Sequence, residues 1–357
     1  MMKTRQIPRW CLPGLLALLL GGLLAPGRAE ATKISLMRVG SEHYVALTDM
    51  ARFYGLTYRQ LSGRSMVIES PWSSMAFQAG TRRAEVNGVE VWLHAPLQKV
   101  SGNWAITQTD MSTFIDPVLR TYAHLANQND RVVVLDPGHG GHDPGAVSRR
   151  GLQEKDMALD IAQRVRAVLA QRGLPVLMTR DTDKFLPLRE RCAFAERNGA
   201  DLFVSIHLNG AFSREANGLE TYVLTAPGYP SVQSAPEERV QRVTYNGNGH
   251  DGANTYLAYA VQKSMLKETG RADRGLRHAR FAVLKGAPCP ATLVECGFLS
   301  NLREESMLRS PSHRDNLARG IARGVLEYLD AVKRARVVAR NEENPFAASQ
   351  WLTIRRP

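Results

Sequence analysis

The sequence predicts an α/β protein: a mostly parallel sheet flanked by helices, preceded by a small α+β domain. Three observations carry this reading. From residue 131 onward, short apolar runs alternate with amphipathic stretches, the pattern of a chain that winds strand, helix, strand into a parallel sheet. Val132–Leu135 is apolar at every position, as a strand covered on both faces must be. Before residue 126 the runs are shorter, alternate in polarity and are separated by Gly and Asn-Gly turns such as Asn87-Gly88, which suits hairpins better than crossovers.

Taken in order, residues 1–31 read as a signal peptide. Lys3, Arg5 and Arg9 precede an apolar stretch from Leu12 to Leu24, and Ala29-Glu30-Ala31 fits a small-x-small cleavage site. Pro26-Gly27 interrupts the exit of that stretch. No later run approaches the roughly 20 apolar residues needed to cross a bilayer, so no transmembrane anchor is expected after cleavage. Residues 32–125 form the small α+β module, with strands around Lys33–Met37, Ser65–Glu69 and Glu90–Leu93 and short helices at Leu47–Tyr54 and Gln108–Phe114. This module holds no grouping of His, Cys and acids at ligand spacing. The polar Asn127-Gln128-Asn129-Asp130 marks a linker over 126–130.

A larger domain is expected over 131–335. Ala158, Ile161, Val165 and Val168 recur at helical spacing before Gly173. Strands are then expected at Val176–Met178, Leu202–Ile206, Leu219–Leu224, Phe281–Leu284 and Ala291–Glu295, and helices at Leu188–Arg197, Asn254–Lys267 and His313–Val332. Residues 336–357 are basic and polar and read as a flexible tail. Residues 226–250, rich in Gly, Pro, Ser and Asn, read as a loop able to act as a lid.

With 44% hydrophobic and 22% charged residues in 357, the chain can bury a core, which excludes a wholly disordered protein. It has no Gly-X-Y period, heptad run or fixed repeat. The formal net charge is +12. Lys3, Arg5, Arg9 and Arg28 against Glu30 account for +3 of it, leaving +9 after cleavage. Such an excess favours polyanionic partners or serves solubility alone. Cys192, Cys289 and Cys296 remain after cleavage, an odd number. Cys289 and Cys296 flank an expected strand and would lie about 20 Å apart, too far for a disulfide.

In α/β sheets, ligands gather at the carboxyl ends of the strands. Three such ends read Asp136-Pro137-Gly138-His139, Ser205-Ile206-His207-Leu208-Asn209 and Glu295-Cys296-Gly297, and Glu154 falls in the first turn of the helix after the first strand. Two imidazoles and two carboxylates thus meet at one edge. His139, Glu154 and His207 suit the ligands of one zinc ion, and Glu295 suits an acid/base that moves a proton. The alternative for Glu295 is a buried pairing with Arg180 or Arg191. Asp136 and Asp143 read as loop-holding acids, His142 as exposed, and His250 and His278 as surface or cleft residues. Asn209 either orients substrate or caps a turn. Cys296 points to the opposite face from Glu295 and reads as core.

Residues 131–330 resemble the zinc-dependent N-acetylmuramoyl-L-alanine amidases of the type 3 amidase family. The matching stretches are Val134–Gly141, Asp143–Ala146, Glu154-Lys155, Thr179-Arg180, Ser205–Asn209 and Val294–Asn301. The resemblance implies a zinc-exopeptidase-like (phosphorylase/hydrolase-like) sheet, with His139, Glu154 and His207 as zinc ligands and Glu295 as the catalytic acid/base. It further implies cleavage of the amide between the lactyl group of N-acetylmuramic acid and L-alanine, with peptidoglycan rather than nucleic acid as partner. A periplasmic or cell-envelope address, a role in wall remodelling or cell separation, and a cell-division activator protein as a further partner class also follow from it. Val86-Asn87-Gly88 through Ile106 and Asp110-Met111 resemble the copper-amine-oxidase N-terminal-like domain, which implies a binding or spacer module. A zinc peptidase would use the same four residues, and a wall-binding protein without catalysis would keep the same fold. The chemistry of the products separates these alternatives.

Overall fold

The computed structural model describes residues 34–232 and 242–340. The expected signal peptide, the middle of the 226–250 loop and the chain after 340 lie outside the described residues. The strands are β1 (Leu36–Val39), β2 (Glu42–Ala46), β3 (Thr57–Gln60), β4 (Ser65–Glu69), β5 (Ser74–Gln78), β6 (Arg83–Val86), β7 (Val89–Trp92), β8 (Gln98–Val100), β9 (Asn103–Thr107), β10 (Val133–Pro137), β11 (Val176–Met178), β12 (Leu202–Asn209), β13 (Leu219–Leu224), β14 (Asp273–Ala279) and β15 (Ala291–Phe298). The α-helices are α1 (Leu47–Tyr54), α2 (Gln108–Asp110), α3 (Asp116–Leu119), α4 (Thr121–Leu125), α5 (Glu154–Ala170), α6 (Leu188–Arg197), α7 (Asp251–Thr269), α8 (Ala282–Lys285), α9 (Leu302–Arg309) and α10 (Pro311–Arg340).

Two sheets result. A small antiparallel one has the order β1-β2-β9-β8, and a long one runs β11-β10-β12-β15-β13-β14-β7-β6-β5-β4-β3. In the long sheet β11, β10, β12 and β15 are parallel. Direction reverses at β13, which is antiparallel to β15 and parallel to β14. β14 then pairs in parallel with β7 at Leu276 and Val91. Strands β3 to β7 continue as an antiparallel meander. The N-terminal module therefore extends the sheet of the larger domain.

Alternation of side chains builds three layers. Val133, Leu135, Val204 and Ile206 face the core shared with α5, α7 and α10, which is continuous with the apolar interior of the N-terminal module. Val134, Phe203, Tyr222 and Leu293 face a second core closed by α6 and α8. Coverage on both faces is why these strands read as unbroken apolar runs.

The structure corrects one expected strand. Phe281–Leu284 contributes to the short helix α8, and the neighbouring strand is the preceding β14. A four-residue apolar run has no period that separates strand from helix. β14 was hidden by its polar text, Asp273-Arg274-Gly275-Leu276-Arg277-His278-Ala279. Its charges are nonetheless satisfied: Asp273 accepts from Gln262 at 2.8 Å, Arg274 pairs with Glu220 at 2.6 Å, and Arg82 bonds His278 at 2.8 Å. Helix α9 was also not foreseen. Its N-cap Asn301 accepts from the amides of Arg303 and Glu304 at 3.0 and 3.2 Å. Helix α10 starts on Pro311, a residue suited to the first helical turn, and continues to Arg340, where a tail was expected from 336. Arg336 ties it to Asp130 of the linker at 2.8 Å.

Helices α7 and α10 touch through backbone. A Cβ on Gly324 would lie 2.4 Å from the Cα of Val261, and one on Gly320 would lie 2.7 Å from that of Met265. Gly to Ala inside a helix ordinarily gains about 1 kcal/mol. Here the overlap, worth about 1–3 kcal/mol or more, outweighs that gain. Gly324→Ala is expected to lower stability by about 2 kcal/mol in urea unfolding. Gly249→Ala, whose Cβ would meet open space, should stay within about 0.5 kcal/mol of the parent. Equal midpoints for the two variants would contradict the close helix contact.

Candidate metal centre

Strand β10 ends at Pro137, and the chain turns sharply through Gly138 and His139. His139 sits at φ 59°, a left-handed conformation that a side-chain-bearing residue adopts only when its surroundings hold it there. Two buried arginines do so. Arg191 donates Nη1 to Asp136 Oδ1 at 2.8 Å and to Pro137 O at 2.7 Å, and Nη2 to His139 O at 2.8 Å. Arg180 donates Nε to Pro137 O at 3.0 Å, and Nη2 to Gly138 O at 2.7 Å and Lys155 O at 2.8 Å. Rigid forks of donors thereby satisfy carbonyls that have left the sheet ladder. Asp136 also accepts from Thr179 at 2.6 Å and Ser205 at 2.7 Å, so it anchors the loop.

Glu154 opens α5, where a carboxylate complements the positive helix terminus. Its Oε1 lies 2.8 Å from His207 Nδ1 and 3.1 Å from His139 Nε2, and it accepts from the Leu208 amide at 3.1 Å. Its Oε2 accepts from the Ala146 amide at 2.8 Å. One nitrogen of His139, one of His207 and one oxygen of Glu154 all lie within 4.8 Å of one another. The outer nitrogen of His139, Nδ1, bonds Asp143 Oδ2 at 2.8 Å, which aims Nε2 inward.

Absent side chains make room for this cluster. A Cβ on Gly138 would lie 2.2 Å from the His207 ring, and one on Gly145 would lie 2.5 Å from Glu154 Oε2 and 2.6 Å from the His139 ring. Two imidazoles and one carboxylate are the donor set of a divalent ion such as zinc, and these residues fit it. Burial opposes ionisation of Glu154, but the bonds from His139 and His207 prevail and hold its pKa far below the usual carboxylate range. Burial likewise opposes protonation of His139, but Glu154 and Asp143 outweigh it and raise the pKa.

Glu295 stands beside His207 in the register of β12 and β15, and beside Glu220 in that of β13 and β15. Its Oε2 is buried with no hydrogen-bond partner among the described residues. Burial first, then the charges of Glu154 and Glu220, push its pKa well above the ordinary value. The donors of Arg180 and Arg191 go to Asp136 and to the carbonyls of Pro137, Gly138, His139, Lys155, Thr182 and Leu186, so neither serves as its ion-pair partner. Asn209 donates to Glu220 at 3.1 Å. Cys296 is buried in the core on the other face. His142 is exposed, with its ring 4.2 Å from that of Phe185.

The expected surface or cleft place of His278 is corrected. It is 0% exposed and stacks on His94 of the N-terminal module with ring centres 4.1 Å apart. His250 is partly buried at the turn before α7 and is not part of the cluster. Sequence reasoning missed Glu220, and it placed Arg191 only as a pairing for Glu295. The available signal was a single charge inside an otherwise apolar element, as in Leu219-Glu220-Thr221-Tyr222-Val223-Leu224.

A sheet edge that aims two imidazoles and two carboxylates at one place defines an α/β protein with a candidate metal-assisted hydrolytic centre. Residues 133–327 match the N-acetylmuramoyl-L-alanine amidase family, Amidase_3, and the chain belongs to that family. It is 38% identical over 221 residues to the N-acetylmuramoyl-L-alanine amidase AmiC of Neisseria meningitidis serogroup B, covering 56% of this chain and 53% of that protein. It is 35% identical over 220 residues to AmiA of Escherichia coli K12, covering 56% and 76%. The chain thus spans about half the length of the first of these relatives and three-quarters of the second. Among solved structures, the catalytic domain of the amidase CwlV from Paenibacillus polymyxa is 36% identical, with 56% of this chain and 99% of that one covered and a TM-score of 0.48.

Ligation requires neutral imidazoles, so metal affinity is expected to fall as pH drops, and the raised pKa of His139 starts that loss at higher pH. Asp143→Ala should weaken zinc binding by about 10–100-fold at pH 8. It should also move the acid loss to lower pH, because one source of the raised pKa is gone. Competition titration with a chromophoric chelator at several pH values measures both effects, and unchanged affinity would remove Asp143 from the centre.

Proposed function

We propose that the protein is an exported zinc hydrolase that cleaves the amide between the lactyl group of N-acetylmuramic acid and L-alanine in peptidoglycan. The observation that carries the reading is the buried Glu295, whose Oε2 has no hydrogen-bond partner among the described residues and which stands beside His207 in the strand register. Family membership supports it. His139, Glu154 and His207 would hold one zinc ion. When bound, zinc supplies Lewis acidity, polarising an amide carbonyl and making water acidic enough to lose a proton near neutral pH.

The chain's own residues supply the rest. Arg180 and Arg191 keep the His139 backbone in its strained conformation, and Asp143 fixes the orientation of its ring. Glu295 accepts the proton of the attacking water and passes it to the nitrogen as the C–N bond breaks, which regenerates the carboxylate. A carboxyl with a raised pKa suits both halves of that transfer, because it holds the proton between the two steps. In this reading the products are an intact glycan bearing free lactyl carboxyls and a peptide with a new L-alanine amine. The periplasm or cell envelope is the expected site of action, with wall remodelling or cell separation as the role. No described helix is long and apolar enough to cross a membrane.

Glu295→Gln is expected to cost on the order of 10²–10⁴ in kcat on purified peptidoglycan while keeping bound zinc. His139→Ala should lose the metal as well, measured by elemental analysis. Mass analysis of released fragments tests the bond assignment. Peptides cut elsewhere in the stem would show a peptidase instead, and an undiminished Glu295→Gln rate would take Glu295 out of the reaction.

A further inference from the structure

The reversal of direction at β13 has a spatial consequence. The start of β13 and the start of β14 lie at the same sheet edge as the end of β15, next to Glu295. Arg274, near the start of β14, donates Nε to Glu220 Oε1 at 2.6 Å, and its guanidinium lies 4.8 Å over the ring of Phe298. Arg277, two strands from Glu295, holds Nη1 3.4 Å from Glu220, and its guanidinium lies 4.6 Å over the ring of Trp92. Trp92 belongs to β7 of the N-terminal module. Its indole N–H donates to Glu90 at 2.8 Å and to the Arg274 carbonyl at 3.2 Å.

The guanidiniums of Arg274 and Arg277 share the single carboxylate of Glu220. Arg83, which also lies over Trp92, is neutralised by Glu90 at 3.1 Å. Among the described residues, Nε is the one nitrogen of Arg274 with a hydrogen-bond partner, and a third of that side chain is exposed. A guanidinium presents parallel donors that match a carboxylate. This one is already fixed by an ion pair and an aromatic face, so little ordering cost remains when a ligand arrives.

The geometry points to a carboxylate subsite at Arg274 of the larger domain, backed by Arg277, which is buried, donates Nε to the Arg274 carbonyl at 2.9 Å and stacks on Trp92 of the module. The inference rests on the amidase reading and names the part of the substrate held there. In that substrate the lactyl carboxyl is consumed in the amide, so the peptide carries the free carboxylates. Two strand spacings separate Arg274 from Glu295, about 10 Å, a distance that about three extended peptide residues span. The subsite therefore takes a carboxylate of the second or third stem residue, and the module supports it through Trp92.

The test compares kcat/KM of the full zinc-loaded chain on a muramyl tripeptide with free carboxylates and on the same compound with carboxamides. At least a tenfold preference for the carboxylates is expected in the parent protein. Arg274→Lys, which keeps a cation for Glu220, and Arg277→Gln should each shrink that preference, through KM more than kcat. Calorimetric binding of the free tripeptide and its carboxamide gives a readout that needs no turnover. Equal kcat/KM for the two substrates, or equal binding of the two peptides, overturns the subsite while leaving the amidase reading intact. Cleavage of neither substrate with tighter binding of the carboxylate peptide overturns the amidase reading and supports the subsite. The parent comparison decides the matter even if a variant folds poorly.

Discussion

The buried carboxylate of Glu154 is the constraint on which the site depends. An unpaired charge in that position would cost several kcal/mol. It is met by both imidazoles and by the amides of Leu208 and Ala146. Those four partners come from three pieces of chain: the loop after β10, the end of β12 and the turn before α5. Satisfying one carboxylate therefore fixes the relative placement of three segments. Gly138 and Gly145 are required because a methyl group at either would occupy the space of the His207 ring, or of Glu154 and the His139 ring.

The two buried guanidiniums work on the other side of the same loop. Arg180 and Arg191 hold carbonyls from Pro137 to His139, and this lets His139 keep a backbone conformation that would otherwise relax. Strain at a candidate ligand persists only where neighbours over-determine it. The charge of Arg191 is matched by Asp136 at 2.8 Å, and both side chains are almost wholly inaccessible. Breaking either half would leave the other charge buried and alone, which is why the pair belongs to the architecture of the centre even though it lies outside the donor set.

The same economy governs the junction with the N-terminal module. β14 is polar in text, yet it sits inside a sheet because its polar side chains find partners on the elements packed beside it. His94 and His278 stack there, His94 bonded to Asp110 at 3.0 Å and accepting the Ala226 amide at 3.2 Å. These contacts tie the module to the segment that follows β13. The continuous sheet and shared core make the module a wall beside the site, which a loosely tethered binding unit would not be.

By itself, the sequence determined the local pieces. Apolar runs marked β10, β12, β13 and β15, and the residues at their ends named His139, His207 and Glu295, because chemistry placed at a strand end needs no knowledge of strand order. Glu154 was legible for the same reason, as an acid opening a helix one loop away. Tertiary structure alone decided what lies beside those ends. Insertion of β15 between β12 and β13 brings Glu220 against Glu295, and the pairing of β14 with β7 brings Trp92 under Arg277. Strand order and direction are set by packing of whole layers, over separations of up to nearly two hundred residues. A charge inside a strand therefore reads as a misfit until its cross-strand partner is known.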